Sequence, residues 1–245
     1  MKIRCPILAA CLVLTAATLT AASLDTSTAT AFAAAGPAVT GTLTNDELHA
    51  LVGQMTVAEK IGMVNGTTDP NCTPTPQPNC FGQVWNSPGV ARLGIPRLRI
   101  TDGPAGIRLS HFETAMPAPV GLAATFDRAA AALFGSTVGK DGRASNQDVW
   151  LAPMINQVVV PTGGRNFETL GEDPFLAAQL VSEQARAAQQ QGLIVTLKHY
   201  AENDFENGRN ATSVKVDERT LHEGELQAFS SLFFRQADRI RRTPL

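Results

Sequence analysis

The chain has 245 residues, 44% of them hydrophobic and 17% charged, with a formal net charge of −2. That composition is too apolar for intrinsic disorder and has no collagen or coiled-coil bias. It also lacks the basic excess of a dedicated nucleic-acid binder, and its length allows one large domain or two small ones.

Residues 1–33 read as a signal peptide. Lys2 and Arg4 give a positive start, and no further charge appears until Asp25. Ile7, Leu8, Leu12, Val13 and Leu14 form the apolar core, and Ala31-Phe32-Ala33 is the small-residue cleavage pattern. The expected product is secreted, or extracytoplasmic. Nothing after residue 40 approaches about 18 consecutive apolar residues, so no membrane contact is expected once the leader is removed. A polar linker over residues 34–42 follows.

The mature chain opens with a capping box. In Thr44-Asn45-Asp46-Glu47 the first and last side chains can each satisfy the other's free backbone N–H. Leu48, Leu51, Val52 and Met55 then recur at helical spacing. A second box, Thr56 to Glu59, predicts another short helix. Residues 65–89, rich in Gly, Pro, Asn and Thr, read as loop. Cys72 and Cys80 flank a Pro-rich stretch there. In an exported protein such a pair reads as a disulfide, and without a nearby His it makes an incomplete metal set.

An alternation of strands and helices comes next. Strands are predicted near 98–101, 149–153 and 193–197. Asp127 is expected to cap a helix carrying Ala130, Leu133, Phe134 and Val138. Asp173 followed by Pro174 is a strong helix opening, and that helix carries Phe175, Leu176, Leu180 and Val181, with Gly192 as its stop. Asp217 caps a last helix with Leu221 and Leu226 on one face. The run from Leu193 to Leu197 predicts a strand covered on both faces. The order implies parallel βαβ units, whose ligands sit at the carboxyl ends of the strands.

Asp102, Arg108, Arg165, Lys198, His199 and Arg209 fall just after those strands. Arginine, lysine and histidine donors with an aspartate acceptor suit a polyhydroxylated ligand, because sugar hydroxyls both give and receive hydrogen bonds. Each residue also has a plainer reading. Asp102 could be a turn residue in Asp-Gly-Pro, Arg108 and Arg165 could be surface ion-pair partners, and His199 could be structural. Lys198, directly after an apolar strand, needs a partner or a task. Glu168, Glu172 and Asp173 are assigned to the loop and the helix N-terminus. His199-Tyr200-Ala201-Glu202 is not a zinc-protease motif, so no metal is expected. The Thr162-Gly163-Gly164-Arg165 turn fits neither a P-loop nor a dinucleotide fingerprint.

Four segments resemble the N-terminal barrel domain of glycoside hydrolase family 3, which includes β-glucosidases and β-xylosidases. They are Met55 to Ile61, Thr101 to Arg108, Gly164 to Pro174, and Thr196 to Tyr200 with Asn203 and Asp204 following. The third is highly specific by itself, and the match covers about residues 43–228. The resemblance implies a (β/α)8 barrel, a retaining mechanism without a cofactor, and a β-linked glucoside or related saccharide as the ligand. It places Asp102, Arg108, Arg165, Lys198, His199 and Arg209 on the sugar of the innermost subsite.

The family's nucleophile is an Asp in a Ser-Asp-Trp-like segment on a later strand, and its acid/base lies further on. This sequence contains no such segment. The expected fold is therefore α/β, a partial TIM-type barrel incomplete at the C-terminus, spanning residues 43–229 and inactive alone. Residues 230–245, where four arginines fall within 235–242, are expected to come from a shifted reading frame near residue 229 or a truncated gene, with a genuine basic C-terminal helix as the alternative. A secreted sugar-binding protein without catalysis is the alternative. Asp102 with Asp204 as an inverting pair is set aside, because Asp102 matches a binding position.

Overall fold

A computed structural model describes residues 43–65, 83–109 and 113–231, without the side chains of 83–85. The leader, the linker to residue 42, the Cys72–Cys80 pair and the tail from residue 232 lie outside the described residues. Among the described residues no helix is long and apolar enough to cross a membrane.

Both capping boxes form as the sequence predicts. Thr44 N donates to Glu47 Oε2 at 2.7 Å while Glu47 N donates to Thr44 Oγ1 at 3.3 Å, opening α1, Asn45–Gly53. Thr56 and Glu59 repeat the pattern at the start of α2, Val57–Asn65. On α1 only Met55, just past its end, is buried, while Leu48 and Val52 stay exposed. They line an apolar groove with Leu43, Met63, Val64 and Ile95.

Strand β1, Gln83–Ser87, lies where the sequence reads as loop, which corrects that expectation. Its composition carries no alternation of its own. It is a strand because it pairs antiparallel with β2, Leu98–Asp102. Packing against a neighbour, more than intrinsic preference, decides such strands.

The sheet continues with β3, Val149–Leu151, and β4, Ile194–Val195, both parallel to β2, in the order β1-β2-β3-β4. Helices α3, Pro119–Ala123, and α4, Arg128–Ala144, link β2 to β3, and α5, Pro174–Gln190, links β3 to β4. This is the βαβ order expected. Asp127 caps α4 through Ala129 N at 2.7 Å, and Asp173 caps α5 through Phe175 N at 2.8 Å. Helix α4 meets α5 along Ala131, Phe134, Gly135, Val138 and Gly139, so Leu133 falls off the buried stripe and stays exposed. Phe175, at the first turn of α5, is exposed too.

Expected burial of β4 on both faces does not hold. Leu193 is buried, but Ile194 is 51% exposed. Among the described residues β4 has no neighbour on its outer side, and that leaves the flank open. Beyond β4 the chain still tracks β3, with Thr196 N donating to Trp150 O at 3.0 Å and Lys198 N to Pro153 O at 3.0 Å. The core gathers around Trp150, Ile155, Leu170, Leu180, Val181 and Phe229. Helix α6, Glu218–Thr220, capped by Asp217, runs into a π-helical turn, Leu221–Glu225, that turns Glu225 inward.

Candidate functional site

The turn after β2 sets the first part of the site. Gly103 has φ +121°, and a Cβ there would stand 1.8 Å from Gly106 O. Only glycine permits this fold-back, which lets Arg108 N reach Asp102 O at 3.2 Å. Arg108 therefore returns beside the carboxylate that ends β2. Its Nη2 lies 2.9 Å from Asp102 Oδ2, while Gly103 N donates to Oδ1 at 2.8 Å. Lys198 Nζ, arriving from the far side of β3, donates to the same Oδ1. Burial pushes the Asp102 carboxyl up, but Lys198, the Gly103 N–H and Arg108 outweigh it, so its pKa lies below the ordinary value.

The second part surrounds His199. Arg165, from the loop after β3, donates through Nη2 to Glu168 Oε2 at 2.5 Å and lies with Nη1 3.1 Å from His199 Nε2. Glu206 bridges onward, 3.6 Å from Arg165 Nη1 and 2.8 Å from Arg209 Nη1. Burial, then the Arg165, Lys198 and Arg209 cations, push the His199 pKa down to about 4, so the ring is neutral near pH 7.

All six residues singled out from the sequence thus stand at one rim, at the carboxyl ends of β2, β3 and β4. Glu168 serves the loop by pairing with Arg165, and Asp173 caps the helix. The sequence reading missed three residues. Glu206 joins Arg165 to Arg209. Asn156 takes the backbone N–H of His199 on its Oδ1 at 2.7 Å and donates to His199 O at 2.9 Å. Glu225, 3% exposed, accepts from Asn156 Nδ2 at 2.9 Å. The one sequence signal for Asn156 is an amide at the end of an apolar run; Glu225 offered none, because its partners lie far along the chain.

Behind His199, Glu202, Asp204 and Glu225 converge. Burial, then the Glu225 and Glu202 charges, push the Asp204 pKa up to about 7. Burial and Glu225 raise that of Glu202 as well. Among the described residues no three His, Cys, Asp or Glu side chains are arranged to hold a metal ion. The rim instead presents cations, each already steadied by a carboxylate or by its neighbours, around a neutral imidazole. That is a surface for a ligand rich in hydroxyls.

A family model of the glycosyl hydrolase family 3 N-terminal domain matches residues 45–241. A thermostable beta-glucosidase B from Acetivibrio thermocellus is 32% identical over 197 residues, 76% of this chain and 24% of that protein. A beta-glucosidase from Bacteroides ovatus is 38% identical over 160 residues, 60% of this chain and 21% of that one. Among solved structures, DesR, a beta-glucosidase from Streptomyces venezuelae in complex with D-glucose, superposes with TM-score 0.68 at 47% identity, covering 74% of this chain and 22% of its own. Beta-glucosidase 3B from Thermotoga neapolitana, in complex with glucose, gives TM-score 0.70 at 31% identity, covering 76% and 27%. The chain spans about a quarter or less of the length of these curated relatives.

Proposed function

Because the chain belongs to glycosyl hydrolase family 3, with its N-terminal barrel-type α/β fold, we propose that it supplies the innermost sugar subsite of a secreted, exo-acting β-glucosidase that retains configuration. The observation that carries this reading is the clamp on Asp102. One carboxylate held by Lys198, Arg108 and the Gly103 N–H is fixed in place and fully ionised near neutral pH. Such an acceptor, flanked by Lys198, Arg108 and Arg165 as donors, can order the hydroxyls of a pyranose. Hydrogen bonds from charged partners are the stronger kind, and those that tighten as the ring distorts towards an oxocarbenium ion favour the transition state.

Retaining hydrolysis also needs a nucleophile and an acid/base, two carboxyls about 5–5.5 Å apart. The rim acids do not suit that work. Asp102 is neutralised by two cations, Glu168 by Arg165, and Glu206 by Arg165 and Arg209. The reading therefore gives these residues binding and orientation, and assigns bond cleavage to carboxyls outside the described residues. The leader-like residues 1–33 support export.

Titration calorimetry of the full chain with glucose tests this. Weak saturable binding is expected, lost in Lys198→Met, with no release of chromophore from a chromogenic β-glucoside. Absence of any glucose binding by the folded chain would sink the reading. Turnover abolished by Asp204→Asn would move the chemistry onto this chain's own acids.

A further inference from the structure

The loop after β4 carries an Asn-Gly step, Asn207–Gly208, at the tip of a turn. Arg209 N donates to Glu206 O at 3.4 Å and closes it, so Asn207 and Gly208 hold the two central positions. Gly208 has φ +66°, a left-handed conformation that glycine adopts freely. Ala211 N and Thr212 N donate to Gly208 O at 2.7 and 2.8 Å and anchor the far side. This turn matters to the rim. It folds the chain back so that Arg209 Nη1 meets Glu206 Oε2 at 2.8 Å, and Glu206 Oε1 lies 3.6 Å from Arg165 Nη1.

Both residues at the tip are exposed. Among the described residues neither the Asn207 side-chain amide nor the Gly208 N–H has a hydrogen-bond partner. Other asparagines near the site differ. Asn156 is 1% exposed with its amide held at both ends, and the Asn166 amide donates to Val160 O and Pro161 O. Asn207 therefore combines what an intramolecular attack requires. Its amide is free, the backbone nitrogen next to it is free, and the residue that follows has no side chain to block the approach. Asparagine is among the chemically labile residues, and these conditions are the ones that expose its lability.

We propose that Asn207 is a self-modifying site at the rim: in water the Asn207–Gly208 step converts to aspartate and isoaspartate, and the isoaspartate form parts Arg209 from Glu206. The Gly208 nitrogen attacks Asn207 Cγ, the side-chain nitrogen leaves as ammonia with the proton from Gly208, and a cyclic imide forms. Water then adds to one of the two imide carbonyls and breaks that carbonyl's bond to nitrogen. Opening at the side-chain carbonyl gives aspartate, and opening at the main-chain carbonyl gives isoaspartate. Either product brings a new carboxylate between Glu206 and Arg209. Isoaspartate also adds one carbon to the backbone inside a tight turn, so Arg209 N loses Glu206 O and the side-chain pair opens with it. The bearing on sugar rests on the reading above, which places Arg209 in the subsite; the chemistry of the step does not.

The test holds the full, folded chain in near-neutral buffer made with 18O-labelled water and maps its peptides over time. Asn207 should lose nitrogen and gain labelled oxygen, with isoaspartate at that position detected by an isoaspartyl methyltransferase. Mapping separates it from the chain's other Asn-Gly step, Asn65–Gly66. Asn207→Gln, whose longer side chain closes the ring poorly, should stay unmodified. Two readouts then follow Arg209. The His199 ring, assigned by its loss in His199→Gln, titrates at about 4 among Arg165, Lys198, Arg209 and Glu206; its midpoint should rise in the isoaspartate form, as Arg209 moves off and a carboxylate arrives. Glucose binding should weaken by about threefold, as in Arg209→Gln. An Asn207 that survives in the folded chain for as long as the urea-unfolded chain takes to convert overturns the proposal, because the fold then protects the step. Conversion with an unchanged His199 midpoint overturns the part given to the turn. Conversion that moves the midpoint in a chain that never binds glucose upholds the site and removes the sugar reading instead.

Discussion

Asp102 shows how one carboxylate can hold partners of different weight. Lys198 and Asp102 have side chains only 13% and 19% exposed, whereas that of Arg108 is 65% exposed. Removing the acid leaves a largely buried ammonium without its counter-ion, and that is the expensive way to break a pair. Asp102→Asn is therefore expected to destabilise the fold by about 2 kcal/mol and to abolish glucose binding. Arg108→Gln removes a solvent-screened partner and should cost under about 1 kcal/mol. Urea unfolding of both variants checks the order, and equal costs would show that exposure does not rank these pairs. Asp102, Lys198 and Arg165 were legible in the sequence because strand ends collect ligand groups and the motifs around them are specific. Asn156 and Glu225 were not, because their bonds span 43 and 69 residues. No local spacing encodes such a contact; it arises only when β3, β4 and the π-helical turn come together.

Helix ends carry their signals locally, and so Thr44, Thr56, Asp127, Asp173 and Asp217 are all legible as caps in the sequence alone. Strand β1 and the π-helical turn depend on neighbours and are not. The α4–α5 contact lies between these cases. Its apolar period is visible in the sequence, but the need for glycine at its centre is not. A Cβ on Gly135 would stand 2.0 Å from Gln184 O, a backbone atom with nowhere to go. Gly135→Ala is expected to cost about 3 kcal/mol as the helices are forced apart. At Gly53, the last residue of α1, a Cβ meets nothing within 4 Å, so Gly53→Ala should stabilise by about 0.5 kcal/mol through helix propensity alone. Thermal unfolding midpoints moving in opposite directions would bear this out. A harmless Gly135→Ala would mean that the two helices have room to part at this crossing.

On the scale of the whole molecule, two groups a few residues apart set opposing demands on pH. His199 titrates at about 4 when folded against 6.5 in an unfolded chain, so between these values the unfolded state holds the extra proton and stability rises with pH. Asp204 titrates at about 7 when folded against 3.8 unfolded, so across the same window the folded state holds the extra proton and stability falls with pH. The two slopes oppose one another from about pH 4 to 6.5, and Glu202, also raised by burial and by Glu225, adds to the second. Asp102 and Glu206, whose pKa values lie below the ordinary ones, contribute stability above their unfolded values and lose it only as pH falls further. The wild type should accordingly show a shallow pH dependence in this window, and single variants should expose its hidden components. Asp204→Asn keeps a donor towards Glu225 but cannot ionise, so its stability should climb as pH rises from 4 to 6.5. His199→Gln removes the other component, so its stability should decline over the same range. Urea midpoints measured at half-unit pH intervals decide the matter. Slopes of the same sign in both variants would mean that the acidic cluster and the histidine are not held in the opposed states that burial gives them here.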